Sequence, residues 1–191
     1  MNLVERAKAL ILTPSAEWDK IDGETHTVQG LYTEWIMILA AIPALAGFVG
    51  YSIIGAGAFG ISYRTPVVTG IALAIVSYAM SLAMVYVLAL VIDALAPSFD
   101  GQKNFAQAFK VAAFAPVASW LAGIFSLIPM LSILGIVGLY SLYLLWVGLP
   151  KLMKVPENKA AGYVVVVIIV AIVISVVLSG ITVFFGAARA F

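Results

Sequence analysis

The chain contains no cysteine. That excludes disulfides, thiolate catalysis, thiolate zinc sites and iron–sulfur clusters. Histidine is limited to His26, and no G-x-S-x-G elbow surrounds any serine, so hydrolase chemistry lacks its usual groups. Charge is also scarce. Asp, Glu, Lys and Arg make up 10% of the 191 residues, against about 25% in soluble domains. The net charge of +1 provides no basic face for nucleic acid. No charged residue occurs in 35–63, 65–92, 111–150 or 160–188.

What fills these segments is hydrocarbon: 64% of the chain is hydrophobic. A bilayer core takes about 20 apolar residues per helical crossing. Each charge-free segment reaches that length, and the third has room for two crossings. The sequence therefore predicts an all-α integral membrane protein, with spans at about 35–61, 66–92, 111–128, 131–149 and 161–186. Pro129 to Ser132 reads as the hairpin between the third and fourth. The fifth is rich in Val and Ile, which favour strands in water; in lipid the backbone must satisfy itself and helix results.

Residues 1–34 form the one sizeable polar region. Leu3, Val4, Ala7, Leu10 and Ile11 recur at helical spacing around Glu5, Arg6 and Lys8. The pattern predicts an amphipathic helix in the headgroup layer, bound through Leu3, Leu10 and Ile11. Thr13-Pro14 predicts the start of a second short helix carrying Trp18 and Ile21. The apolar stretch 9–12 is too short for a secretory signal, and no lipidation motif stands at either end. The first span is expected to direct insertion.

Arg6, Lys8, Lys20, Lys103, Lys110, Lys151, Lys154 and Lys159 fall on one side of a five-span arrangement, and only Arg64 and Arg189 on the other. The positive-inside rule then predicts a cytoplasmic N-terminus and a periplasmic or extracellular C-terminus. Four spans would destroy this asymmetry.

Ionisable groups at span ends are Glu34, Asp93 and Lys110. They are the candidate functional polar residues; Asp93 and Lys110 are placed to pair across the linker between spans two and three. No acid or base lies in a span centre, so interior polarity rests on Ser77, Ser81, Ser119, Ser126, Ser175, Ser179, Thr182 and tyrosines. Ala40, Ala44 and Gly47 on span one, with Ser119 and Gly123 on span three, are candidate helix-contact residues, because small side chains let backbones approach. Gly55, Gly57 and Gly60 spell G-x-G-x-x-G but lack the strand, helix and acid of a dinucleotide site. Glu17, Asp19, Asp22, Glu24 and His26 lack a metal-ligand pattern and read as a solvated acidic face. No cofactor or metal is expected.

The order of features carries a resemblance. Thr13-Pro14 with Trp18 and Ile21 precedes five spans. Gly101-Gln102-Lys103-Asn104-Phe105 leads through Ala108-Phe109-Lys110 to Ala112-Ala113-Phe114-Ala115-Pro116. Tyr140 to Leu149 runs into Pro150-Lys151-Leu152, then Val155-Pro156 and Lys159-Ala160. From about Leu12 to Ile174 this resembles the Yip family of five-span membrane proteins, in a bacterial form. The resemblance implies a bacterial inner-membrane protein that works without catalysis, by helix packing, binding itself or other membrane proteins, or organising lipid. Eukaryotic members associate with Rab-type GTPases. Here the N-terminal segment is short and has no counterpart of their Asp-Leu-Tyr-Gly-Pro stretch, so GTPase binding is not expected to carry over. The alternative is a small transporter or channel for a lipid or uncharged solute, with its path between spans two, three and five.

Overall fold

The computed structural model describes residues 2–58 and 61–187, and side chains over 2–55 and 63–176. Among the described residues, five helices are long and apolar enough to cross a membrane: Val28–Ile54, Val67–Phe99, Phe105–Leu127, Pro129–Met153 and Glu157–Val176, the last continuing in backbone to Ala187. They form an all-α membrane bundle, with two short helices before it: α1 (Leu3–Leu12) and α2 (Pro14–Gly23).

Asn2 caps α1 by accepting from the Glu5 N–H, and Pro14 takes the first position of α2, where its missing N–H costs nothing. Neither helix floats apart from the bundle. Ala7, Leu10, Trp18 and Ile21 are buried, whereas Val4 and Leu12 face outward. Leu10, expected to enter the headgroup layer, faces protein instead. The apolar stripe of each helix is already satisfied by the ends of spans three and four.

The first span starts at Val28, with Thr27 accepting from the Gly30 N–H, and runs as α-helix interrupted by π-helical turns at Tyr32–Ile36 and Val49–Ile54. It stops at Ile54, short of the expected residue 61. Gly55 adopts φ 89°, a conformation that favours glycine, and returns its N–H to the Gly50 carbonyl. A two-stranded antiparallel ribbon follows, β1 (Ala56–Ala58) on β2 (Ile61–Tyr63). Gly60 of the G-x-G-x-x-G string lies outside the described residues, as do the side chains of Ser179, Thr182 and Arg189.

The third span is the central one: residues 108–115 are all buried. Its alanines let neighbours close in, and Pro116 breaks it into Phe105–Phe114 and Val117–Ala122. It ends in 3-10 turns, Gly123–Leu127. Pro129 to Ser132 is not a hairpin. Pro129 opens the fourth span as its first residue, the one helical position that tolerates proline. That span begins with an 11-residue 3-10 stretch, Pro129–Leu139. With three residues per turn, side chains three apart eclipse. Met130, Ile133, Ile136 and Leu139 accordingly form one exposed apolar ridge.

Two devices join the spans. Where glycine faces a neighbour, backbones meet: a Cβ at Gly50 would run into the Ser126 carbonyl, and one at Gly123 into Pro43. Elsewhere, aromatic donors reach across to carbonyls that have a spare lone pair. Tyr32 donates to Leu82 O (2.9 Å), Tyr78 to Met37 O (3.1 Å), Trp35 Nε1 to Ala113 O (3.0 Å) and Tyr163 to Ile92 O (2.5 Å). Each ties a ring on one span to the main chain of another.

Candidate functional site

Most of the described side-chain polarity lies at one end of the bundle, where α1 and α2 meet the linkers 100–104 and 154–156. Lys110 is the centre of this junction. It is 4% exposed, and its ammonium donates to the carbonyls of Ile21 (2.6 Å), Asp22 (3.1 Å) and Glu24 (2.9 Å). These carbonyls belong to the last turn of α2 and the residue after it, where helical N–H partners have run out and the dipole is negative. A lysine from span three thus caps a helix 86 to 89 residues away. Beside it Gln107 donates to the Asp22 carbonyl and carboxylate, and Lys154 pairs with the other Asp22 oxygen. Lys151 bridges Asp19 (2.7 Å) and the carbonyl and hydroxyl of Ser15.

Beneath these bonds lies an ionic cluster that sequence reasoning missed. Arg6 places Nη2 2.6 Å from Glu24 Oε1 and Nη1 2.7 Å from Glu17 Oε1; the second contact is an ion pair by distance but is not aligned as a hydrogen bond. Glu17 is 4% exposed. Lys20 reaches its other oxygen, and His26 lies 2.8 Å from Glu24. The cluster rests on Phe114, around which Trp18, His26 and Trp35 set their rings at 6.4, 5.8 and 5.0 Å. The acidic residues expected on a solvated face are all paired with cations; Asp19 stays solvent-exposed while Glu17 is buried. The only hint in the sequence was complementary sign: acids in 17–24, lysines at 110, 151 and 154.

Burial raises the Glu24 carboxyl, but hydrogen bonds from Arg6 and His26 and their charges outweigh it and hold it below the ordinary 4.5. A carboxyl depressed in the folded state contributes stability that is complete above its unfolded value and disappears as pH falls through the folded one. The thermal midpoint of the wild-type chain is expected to drop below pH 4.5 more steeply than that of Glu24→Gln. Identical pH profiles in detergent would refute this.

Lys110 does not turn toward Asp93. Asp93, 9% exposed near the same end of span two, leaves Oδ1 without a hydrogen-bond partner; Tyr163 donates to the adjacent Ile92 carbonyl instead. Glu34 is exposed on the first π-helical turn. Ala40 is fully buried, Gly123 faces Pro43, and Ser119 donates to Gly138 O at 2.8 Å. Ala44 and Gly47 line an open cleft between spans one and two. A second cavity, 470 Å³ between spans two to five, includes Ser119, Ser141 and Ser175. Ser175 bonds the carbonyl of Ala171 in its own helix, and Ser119 and Ser141 bond each other.

The linker motifs have structural work here. Asn104 caps span three by accepting from Gln107 N–H, and Gln102 N–H donates to Met153 O (2.8 Å). Gly101 sits so close to Val155 and Met153 that a Cβ would not fit without movement. Lys159 pairs with Asp100.

Five apolar helices with an N-terminal helix pair fastened across one end define an integral membrane protein of the multi-span helical class. The chain belongs to the Yip1-domain family, whose model matches residues 8–178. It is similar to Inner membrane protein YohC of Escherichia coli K12, 29% identical over 119 residues, which is 62% of this chain and 61% of that protein. The protein of the same name from an O6:H1 strain of Escherichia coli matches to the same extent. The match thus spans less than two thirds of these relatives' own length. No solved structure matches the chain.

Proposed function

We propose that this is a bacterial inner-membrane protein that works without catalysis, through helix packing, binding of a membrane partner and local organisation of lipid. Its N-terminus is cytoplasmic and its C-terminus lies across the membrane. The observation that carries this reading is how the cations of the N-terminal junction are held. Arg6, Lys20, Lys110, Lys151 and Lys154 all hold protein acceptors, which builds a fixed surface and not a reactive centre. The homologous inner-membrane protein and the eight basic residues at the junction end support the location and orientation.

A transport path would use the cavity between spans two to five. Its serines spend their hydrogen bonds within the protein, which leaves an apolar lining with no relay for a polar solute. Vesicles reconstituted with the full chain are expected to match protein-free vesicles in glycerol permeability and in scrambling of a labelled phospholipid. A periplasmic-active reporter fused after Phe191 is expected to be active. Protein-dependent flux would replace this reading by the transporter, and a cytoplasmic C-terminus would overturn the orientation.

A further inference from the structure

At the end of the bundle opposite the N-terminal helices, the first and second spans part to leave a laterally open cleft of 560 Å³. Pro43, Ala44 and Gly47 form one wall, and Gly70, Leu73 and Ala74 the other. At its upper end lies Ser52, only 6% exposed, whose hydroxyl finds no hydrogen-bond partner. A helical serine ordinarily bonds a carbonyl one turn back. Ser52 stands in the π-helical turn Val49–Ile54 and does not. Of the other hydroxyls at this cleft, Ser77 is spent on Ala74 O and Tyr51 on Ser132. A buried donor without an acceptor is costly, so this one is set for an acceptor that a ligand brings.

Depth identifies the ligand. Ser52 is two residues from the end of its span, at the level where hydrocarbon gives way to headgroups. Below it the cleft extends to Pro43, nine residues or about 13 Å along the helix axis. Above it Arg64 precedes the cleft residue Thr65, outside both span ends, and among the described residues no carboxylate pairs with it. The order along the membrane normal is therefore cation, hydroxyl donor, apolar trough. We propose that the cleft holds one acyl chain of a glycerophospholipid from this leaflet. Its ester carbonyl accepts from Ser52 and its phosphate faces Arg64. Space inside the trough is real: a Cβ on Gly47 would meet nothing within 4 Å. Gly70 is needed for a different reason, since a Cβ there would run into the Ser52 hydroxyl.

This cleft and the N-terminal junction lie at opposite ends of the bundle, so the lipid site and the partner role proposed above stand or fall separately. The test is native mass spectrometry of the delipidated full chain titrated with phosphatidylglycerol, diacylglycerol and palmitate. One saturable phosphatidylglycerol adduct is expected. Ser52→Ala weakens it about fivefold, the value of one hydrogen bond. Gly47→Leu, whose Cβ would meet nothing within 4 Å, fills the trough and abolishes it while leaving the thermal midpoint unchanged. Arg64→Gln weakens the phosphatidylglycerol adduct but not the diacylglycerol one. Undiminished phosphatidylglycerol binding in Gly47→Leu overturns the site. Equal binding of palmitate replaces the phospholipid by a free fatty acid and overturns the ester contact.

Discussion

Lys110→Met is expected to lower the thermal midpoint by about 6–12 °C. Methionine keeps the volume and apolar stem of lysine but none of its donors. The carbonyls of Ile21, Asp22 and Glu24 would then face a thioether in a buried place. Loss of charge-assisted bonds with burial of their acceptors costs about 3 kcal/mol. For a chain of this length each kcal/mol corresponds to about 2–4 °C. The loss should be local: α1 and α2 release first, and trypsin gains access to Arg6, Lys8 and Lys20 while helicity of the bundle persists. Asp93→Asn is the control, because the Asp93 Oδ1 has no partner to lose. A Lys110→Met midpoint within 2 °C of wild type (under about 1 kcal/mol) would show that the lysine does not hold the junction.

Gly148→Leu attacks the same junction from its apolar side. The Trp18 indole lies flat on Gly148, and any Cβ there overlaps ring carbons. Trp18 is fully buried, with its ring edge-to-face against Phe114. The ring must leave, forfeiting burial worth about 3–5 kcal/mol. We expect a midpoint lower by about 6–20 °C and a red shift in tryptophan emission. In Trp18→Ala, Gly148→Leu should then cost much less than it does alone, since the clash and the lost burial are one event. Additive effects would mean that Gly148 matters for some other contact.

The spans were readable because lipid imposes one rule, absence of charge over a helix's length, and the chain obeys it. Their ends were harder. Residues 56–63 look apolar enough to prolong span one, and only the positive φ of Gly55 and the paired strands reveal the turn. Pro129 signals a break equally well as a hairpin or as a helix start. Among the small residues, composition marked Ala40, Gly47 and Gly123 alike, yet Ala40 is buried, Gly123 touches Pro43 and Gly47 borders empty space. Gly148, on which Trp18 of the N-terminal helices packs, carried no distinguishing sign. At the polar junction the residues were evident and their partners were not. Asp93 was the nearer match for Lys110 in charge and sequence, but a bond to α2 requires knowing how the chain folds back. Nothing in the sequence distinguishes Ser52, because hydroxyls in apolar helices usually bond their own backbone.

The fastening of α2 to residues 107–154 sets an order of events during synthesis. Trp18 and Ile21 leave the ribosome long before Gly148 and Lys151 exist to receive them. Until the third and fourth spans have been threaded, their apolar stripe has only the bilayer surface on which to rest. The helix pair therefore has two successive hosts, first lipid and then protein, and the bundle is sealed at that end by the segment that waited longest.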